Sequence, residues 1–131
     1  MKDQTITLKP TDAELDILNI LWNDGPGTVR QVHELLAQTK PSQYTTTLKL
    51  MQIMAEKGLL ERDETDRSHV YHTCLPRERV QRQMAGLLMD RVFGGSTRSL
   101  LQGALSAKKT SKKELAELRQ ILEDYEKGHK R

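Results

Sequence analysis

The chain has 131 residues, 36% of them hydrophobic and 30% charged, with one Phe, one Trp and one Cys. That length suits one or two small domains with an aliphatic, Met-rich core, and the single Cys74 excludes an internal disulfide framework. The net charge of +3 is unevenly spread: residues 1–75 hold 8 Lys/Arg against 11 Asp/Glu, and residues 76–131 hold 13 against 7. No apolar run approaches the ~20 residues of a membrane span, and MKDQTITLKP has no apolar signal core, so a soluble cytoplasmic protein is expected.

Thr11 or Asp12 can cap a first helix running to about Asp24, with Leu15, Ile17, Leu18, Ile20, Leu21 and Trp22 at helical spacing. Asn23-Asp24-Gly25-Pro26-Gly27 is dense turn punctuation and ends it. Thr28 followed three residues later by Gln31 is a capping-box pattern. It opens a second helix to about Thr39, with Val29, Val32, Leu35 and Leu36 inward. Lys40-Pro41 breaks that helix, and Ser42 caps a third that ends at Gly58. The first turns of the third helix carry Ser42, Gln43, Tyr44, Thr45, Thr46, Thr47 and Lys49, all hydrogen-bonding side chains. Its second half supplies Leu48, Leu50, Met51, Ile53, Met54 and Ala55 to a core. Three short helices so closely connected form a trihelical core whose third member is free to present its N-terminal half.

Beyond Gly58 the period changes. Leu59–Asp63 reads as a short strand, residues 64–68 as a polar tip, and His69–Leu75 as an alternating strand rich in strand formers. That hairpin is the wing of a winged helix. Pro76 then starts a long helix with a stripe of Val80, Met84, Leu87, Leu88, Val92 and Phe93, stopping at Gly94-Gly95. Ser96 caps the next, with Leu100, Leu101, Ala104 and Leu105. Ser111 and Glu114 make a second capping box before a last helix bearing Leu115, Leu118, Ile121, Leu122 and Tyr125. Fifty-six residues are too few for these wide stripes to build a good core alone, so pairing with a second copy is expected. The alternative is a tail folded back on its own wing. The expected fold is mainly α with a small β-hairpin. A winged helix-turn-helix domain occupies residues 1–75, and a helical dimerisation domain residues 76–131. Dimer contacts fall on Leu87, Leu88, Val92, Phe93, Leu100, Leu101, Leu105, Leu118 and Leu122.

A helix anchored by its C-terminal half and polar at its N-terminal half is what reading a major groove requires. Gln43, Thr45, Thr46 and Lys49 share one face: Gln can pair with adenine, Lys can donate to guanine, and Thr methyls pack on thymine. The plainer reading of that face is a solvated helix surface. The helix starts near Thr28 and Ser42 suit phosphate oxygens, with Arg30, Lys40 and Lys57 as longer-range partners. On the wing, Arg67, Ser68 and His69 can reach the DNA backbone, with Arg62 set further back. Tyr44 is either a staple onto the second helix or a phosphate contact. The basic residues of the tail, such as Arg82, Arg91, Arg98, Lys108 and Lys112, solvate helix surfaces; Arg77 and Arg79 follow the wing and can also attract DNA.

Other chemistry finds little support. Strand alternation puts His72 and Cys74 on one face and His69 on the other, which leaves too few ligands for zinc. His33 reads as a surface residue and His129 as part of the tail. There is no G-x-S-x-G, Walker loop or H-E-x-x-H. No enzyme, metal site or cofactor is expected.

The run from Leu8 to Leu75 resembles the winged-helix domain of the BlaI/MecI-type penicillinase-repressor family, which includes CopY-like repressors. The residues that carry the resemblance are Leu8, Asp12-Ala-Glu-Leu15, Ile20-Leu-Trp22, Tyr44-Thr-Thr-Thr-Leu-Lys49, Met54, Glu56-Lys-Gly-Leu-Leu60 and Val70-Tyr71. The tail is similar as well, at Arg91-Val-Phe-Gly-Gly-Ser96, Leu100-Leu101 and Glu114-Leu115 through Glu117-Leu-Arg-Gln-Ile-Leu122. The resemblance implies a homodimeric transcriptional repressor that binds palindromic operator DNA. In the penicillinase branch it also implies a membrane sensor protease that cuts the repressor at an Asn-Phe bond. The matching position here is Gly103-Ala104, and the chain contains no Asn-Phe pair. The paired C-x-C motifs of the copper-responsive branch are absent too, which excludes copper sensing by that route. Against the repressor stands a winged helix used for protein contacts without specific DNA binding, which the net acidic N-terminal part would suit.

Overall fold

A computed structural model describes residues 9–65 and 67–128. The apolar-signal reading of the N-terminus rests largely on residues 1–8; these, Asp66 of the wing tip and His129 lie outside the described residues. The elements run α1 (Asp12–Asp24), α2 (Val29–Ala37), α3 (Tyr44–Glu56), β1 (Leu60–Asp63), β2 (Val70–Thr73), α4 (Arg77–Val92), α5 (Thr97–Ala107) and α6 (Lys112–Gly128). Two compact units divide at Ala85 and Gly86, within α4.

In the first unit, local signals set the helix starts. Thr11 caps α1 in a full capping box: its Oγ1 accepts from the Glu14 amide, and Glu14 accepts from the Thr11 amide. Thr28 and Gln31 do the same for α2. At α3 the cap differs from expectation. Ser42 does not cap; Gln43, in extended backbone, is the N-cap and makes no side-chain cap bond. A Gln side chain is too long to fold back onto the next turn as Ser or Thr does. The C-terminal end follows the sequence closely. Gly58 has φ +89, its amide donates to Ala55 O and the Leu59 amide donates to Met54 O, the pairing of a Schellman motif.

Ile17, Leu18 and Leu21 of α1, Val29 and Val32 of α2, and Met51 and Met54 of α3 enclose the core. Leu59, Leu60, Tyr71, Leu75 and Val80 close it, so the first turns of α4 belong to this unit. Thr47, grouped by sequence with the polar turns, is fully buried on the stripe of Met51 and Met54. Ile53, grouped with the core, is 36% exposed because it turns away from that stripe. The hairpin pairs β1 and β2 antiparallel from Leu60↔Thr73 to Asp63↔Val70. Gly27 adds a bridge: its amide donates to Tyr71 O at 3.0 Å, and the Tyr71 amide returns a bond to Gly27 O at 2.8 Å. The turn between α1 and α2 is thereby stitched to the wing. Trp22 Nε1 donates to Leu75 O at 3.2 Å, tying α1 to the segment between β2 and α4.

The second unit has no buried residue among those described. Its caps form as the sequence predicts: Ser96 Oγ accepts from the Ser99 amide and Ser111 Oγ from the Glu114 amide. Gly94 and Gly95, both at positive φ, turn the chain between α4 and α5. A Cβ on Gly103 would stand 3.0 Å from Phe93 Cε1, so glycine there admits the Phe93 ring against α5. The apolar stripes stay open: Val92 is 63% exposed and Ile121 61%, with Leu88, Leu101, Leu105 and Leu122 also exposed.

Candidate nucleic-acid interface

The outward side of α3 is built by subtraction. Thr47, Met51 and Met54 point into the core, which leaves Thr45, Thr46 and Lys49 exposed along the other side, preceded by exposed Ser42 and Gln43. None of these five side chains has a hydrogen-bonding or ionic partner among the described residues. No side chain caps α3, and the Thr46 amide donates to Gln43 O at 3.0 Å, which leaves the Tyr44 and Thr45 amides at the helix start, and a helix start in that condition attracts anions. Uncharged groups and one ammonium with unspent hydrogen-bonding capacity are what base edges need.

Beside this face, a cleft opens between the start of α2, the flank of α3 and the wing. Thr28, Arg30, Tyr44, Leu48, Gln52, Arg62, Arg67, Ser68 and His69 line it, over Tyr71. The structure thus brings Thr28, Arg30, Arg67 and Ser68 together, while Ser42, Gln43, Thr45, Thr46 and Lys49 stand outside the cleft. Thr28 spends its hydroxyl on the Gln31 amide, so its side chain serves the helix first. Arg30 lies with its guanidinium carbon 5.4 Å from the Tyr44 ring centroid. The His33 ring meets the same tyrosine edge-on, with centroids 5.7 Å apart at 82°. His33 Nδ1 in turn shares a hydrogen bond of 3.1 Å with the buried Thr47 hydroxyl. His33 is therefore half-buried between α2 and α3 and not the surface residue expected from sequence. Spacing held the clue: it follows Val29 by four, on the inner side of α2.

Several cations expected to face DNA are already paired. Lys40 Nζ lies 2.7 Å from Asp16. Lys57 Nζ lies 2.7 Å from Glu14, whose side chain is only 3% exposed. Burial alone would raise the Glu14 pKa; the Lys57 ammonium and the Thr11 amide outweigh it and hold the carboxyl below its usual value. Arg62 is bound to Glu64 at the wing. Arg77 packs its guanidinium 5.6 Å from the Trp22 ring centroid and donates to Asn23 Oδ1, which holds it against α1. For Lys40 and Lys57 the expectation missed an acid 24 and 43 residues away; Arg62 meets an acid two residues on, and Arg77 a neutral amide. Arg30, Lys49 and Arg67 remain as cations of this region without a carboxylate partner among the described residues. His72 sits 3.1 Å from Glu61 across the hairpin, and no cluster of three metal-ligating side chains occurs among the described residues.

Residues 10–124 match the profile of the penicillinase repressor family. The chain belongs to that family. It is 32% identical over 121 residues to the transcriptional regulator BlaI of Mycobacterium tuberculosis, which spans 90% of this chain and 86% of the relative. It is 23% identical over 115 residues to the penicillinase repressor of Staphylococcus aureus, spanning 88% and 91%. Among solved structures, a MarR family protein from Bacillus stearothermophilus shares the fold, with a TM-score of 0.52 at 16% identity over 98% of this chain and 81% of that one. The family consists of transcriptional repressors, which are not enzymes. Among the described residues no helix is long and apolar enough to cross a membrane.

Proposed function

We propose that the chain represses transcription as a homodimer on palindromic operator DNA, each copy placing the start of α3 in a major groove. Residues 1–75 would form the DNA-binding domain and residues 76–131 the dimerisation domain. The observation that carries the reading is the outward face of α3: Gln43, Thr45, Thr46 and Lys49 are exposed, unpartnered and rigidly mounted on a buried stripe. Arg30, Arg67, Ser68 and the free amides after Ser42 stand beside it for the phosphates, with Thr28 at the start of α2. The open stripes of α4, α5 and α6 support pairing of two copies, with Leu87, Leu88, Val92, Phe93, Leu100, Leu101, Leu105, Leu118 and Leu122 as the contact set. DNA as partner places the work in the cytoplasm. For the membrane sensor protease implied by the resemblance, this chain offers Gly103-Ala104 within α5 in place of an Asn-Phe bond.

The test is operator binding by Lys49→Ala and Thr46→Ala, both exposed and away from the core. Each should weaken specific binding by about 5-fold or more, the range of a lost base contact, with melting unchanged. Unchanged footprints in both variants would reassign the reading helix.

A further inference from the structure

Arg30 is an exposed residue on the first turn of α2, where a free arginine would sample many rotamers. Here it is held by a chain of contacts that starts in the core. Buried Thr47 fixes His33 through the 3.1 Å hydrogen bond. His33 meets Tyr44 edge-on, and the Tyr44 ring carries the Arg30 guanidinium at 5.4 Å. Tyr44 is the first residue of α3 and is itself 38% exposed, so the contact lies at the rim of the cleft that Arg67 and Ser68 also line.

We propose that Tyr44 is a positioning residue: steadied by His33, its ring holds Arg30 in place to meet a DNA phosphate beside the start of α3. The inference rests on the DNA-binding function above and deepens it. Aromatic stacking leaves the guanidinium's edge N–H groups free, so Arg30 can stack and still donate to a phosphate oxygen. Ordering the side chain before binding removes part of the entropy cost at the moment of contact. The tyrosine hydroxyl has no role in this arrangement; the ring face does.

The test uses the full chain and a mixed-sequence duplex of about 30 base pairs, since phosphate contacts are independent of sequence. Affinity is measured across a salt series for wild type, Arg30→Ala, Tyr44→Phe, Tyr44→Leu and the Arg30→Ala/Tyr44→Leu double variant. Tyr44→Leu keeps an apolar side chain on His33 but removes the ring face; melting curves check that the fold survives. Tyr44→Phe should bind within about twofold of wild type, and Tyr44→Leu should lose about 5- to 30-fold, the scale of one exposed cation–π contact in each of two copies. The double variant should bind no more weakly than Arg30→Ala alone, because without Arg30 the ring has nothing to position. Additive losses in the double variant would overturn the proposal. So would a Tyr44→Phe loss equal to that of Tyr44→Leu, which would make the hydroxyl itself the contact. A wild-type affinity flat with salt would overturn the DNA reading and this inference together, whereas steep wild-type salt dependence with additive losses overturns the inference alone.

Discussion

Replacing Lys57 by Ala isolates the one deeply buried carboxylate of the described residues. Glu14 has a side chain 3% exposed, and Lys57, 40% exposed, reaches it at 2.7 Å across 43 residues of sequence. Removing one partner of a fully buried pair costs about 3–5 kcal/mol, because the charge left behind is uncompensated. Lys57 is half in water and the pair is correspondingly screened, so about 1–3 kcal/mol is expected. For a domain of this size that lowers the melting temperature by roughly 5–20 °C. Glu14→Gln is the informative counterpart. Its amide oxygen can still accept from the Thr11 amide, and the ammonium it abandons is solvated, so its cost should stay under about 1 kcal/mol. The pH dependence has a definite sign. The wild-type Glu14 pKa is depressed on folding, so its contribution is complete above the unfolded value and is lost as pH falls through the folded value. Without Lys57, burial is opposed only by the Thr11 bonds, so the Glu14 pKa rises above its wild-type folded value. The stability gap between wild type and Lys57→Ala should therefore narrow as pH falls from the variant's raised folded value towards the depressed wild-type one. Urea unfolding between neutral and acid pH measures it. A gap that stays constant with pH, or Glu14→Gln costing as much as Lys57→Ala, would refute the reasoning.

Two further outcomes follow from the backbone and the open stripes. Gly58→Ala places a Cβ at φ +89 with nothing nearby to clash, so its cost should be the conformational one alone, about 1–2 kcal/mol in denaturant unfolding. Ile121→Asp with Leu122→Asp puts charges on the most open stripe of α6 and should shift sedimentation from dimer to monomer while α1 to β2 melt as before.

What could be read from sequence was what is local. The Thr28–Gln31 box, the Ser96 and Ser111 caps and the Gly58 turn each depend on residues three or four apart, and all form as expected. The strand and helix periods placed the wing and the order of elements for the same reason. Residue type misled where it concealed position. Thr47 follows the Met51–Met54 spacing into the core, but a hydroxyl side chain among three threonines reads as surface until His33 is seen to satisfy it. Charges misled more, because an ion pair has no sequence signature. Lys40 and Lys57 look free along the chain, yet Asp16 and Glu14 arrive from α1, 24 and 43 residues away. The Gly27–Tyr71 bridge is equally non-local: Gly25-Pro26-Gly27 announces a turn and says nothing of the strand it joins.

The pairing of those lysines changes how the protein must hold DNA. With Lys40, Lys57 and Arg62 neutralised internally, the proposed reading leaves one copy Arg30 and Arg67 for phosphates and Lys49 for a base edge. Each phosphate neutralised contributes about −0.9 to the slope of log affinity against log salt, so one copy should show about −2 and a dimer about −4. Such a small electrostatic term makes non-specific binding weak, in a region that is acidic overall. A single half-site would then be occupied poorly at cellular salt. Joining two copies makes the second contact intramolecular, which raises affinity by two or more orders of magnitude on a site with correct spacing and by nothing on a lone half-site. In the proposed dimer the acidic shell and the open helical stripes would act together: the first would suppress binding to ordinary DNA, the second restore it where two half-sites occur. The measurement is the salt slope of wild type on a full operator against that of the Ile121→Asp/Leu122→Asp variant on a half-site. Equal slopes would mean that the phosphate hold comes from somewhere other than two paired sets of Arg30 and Arg67.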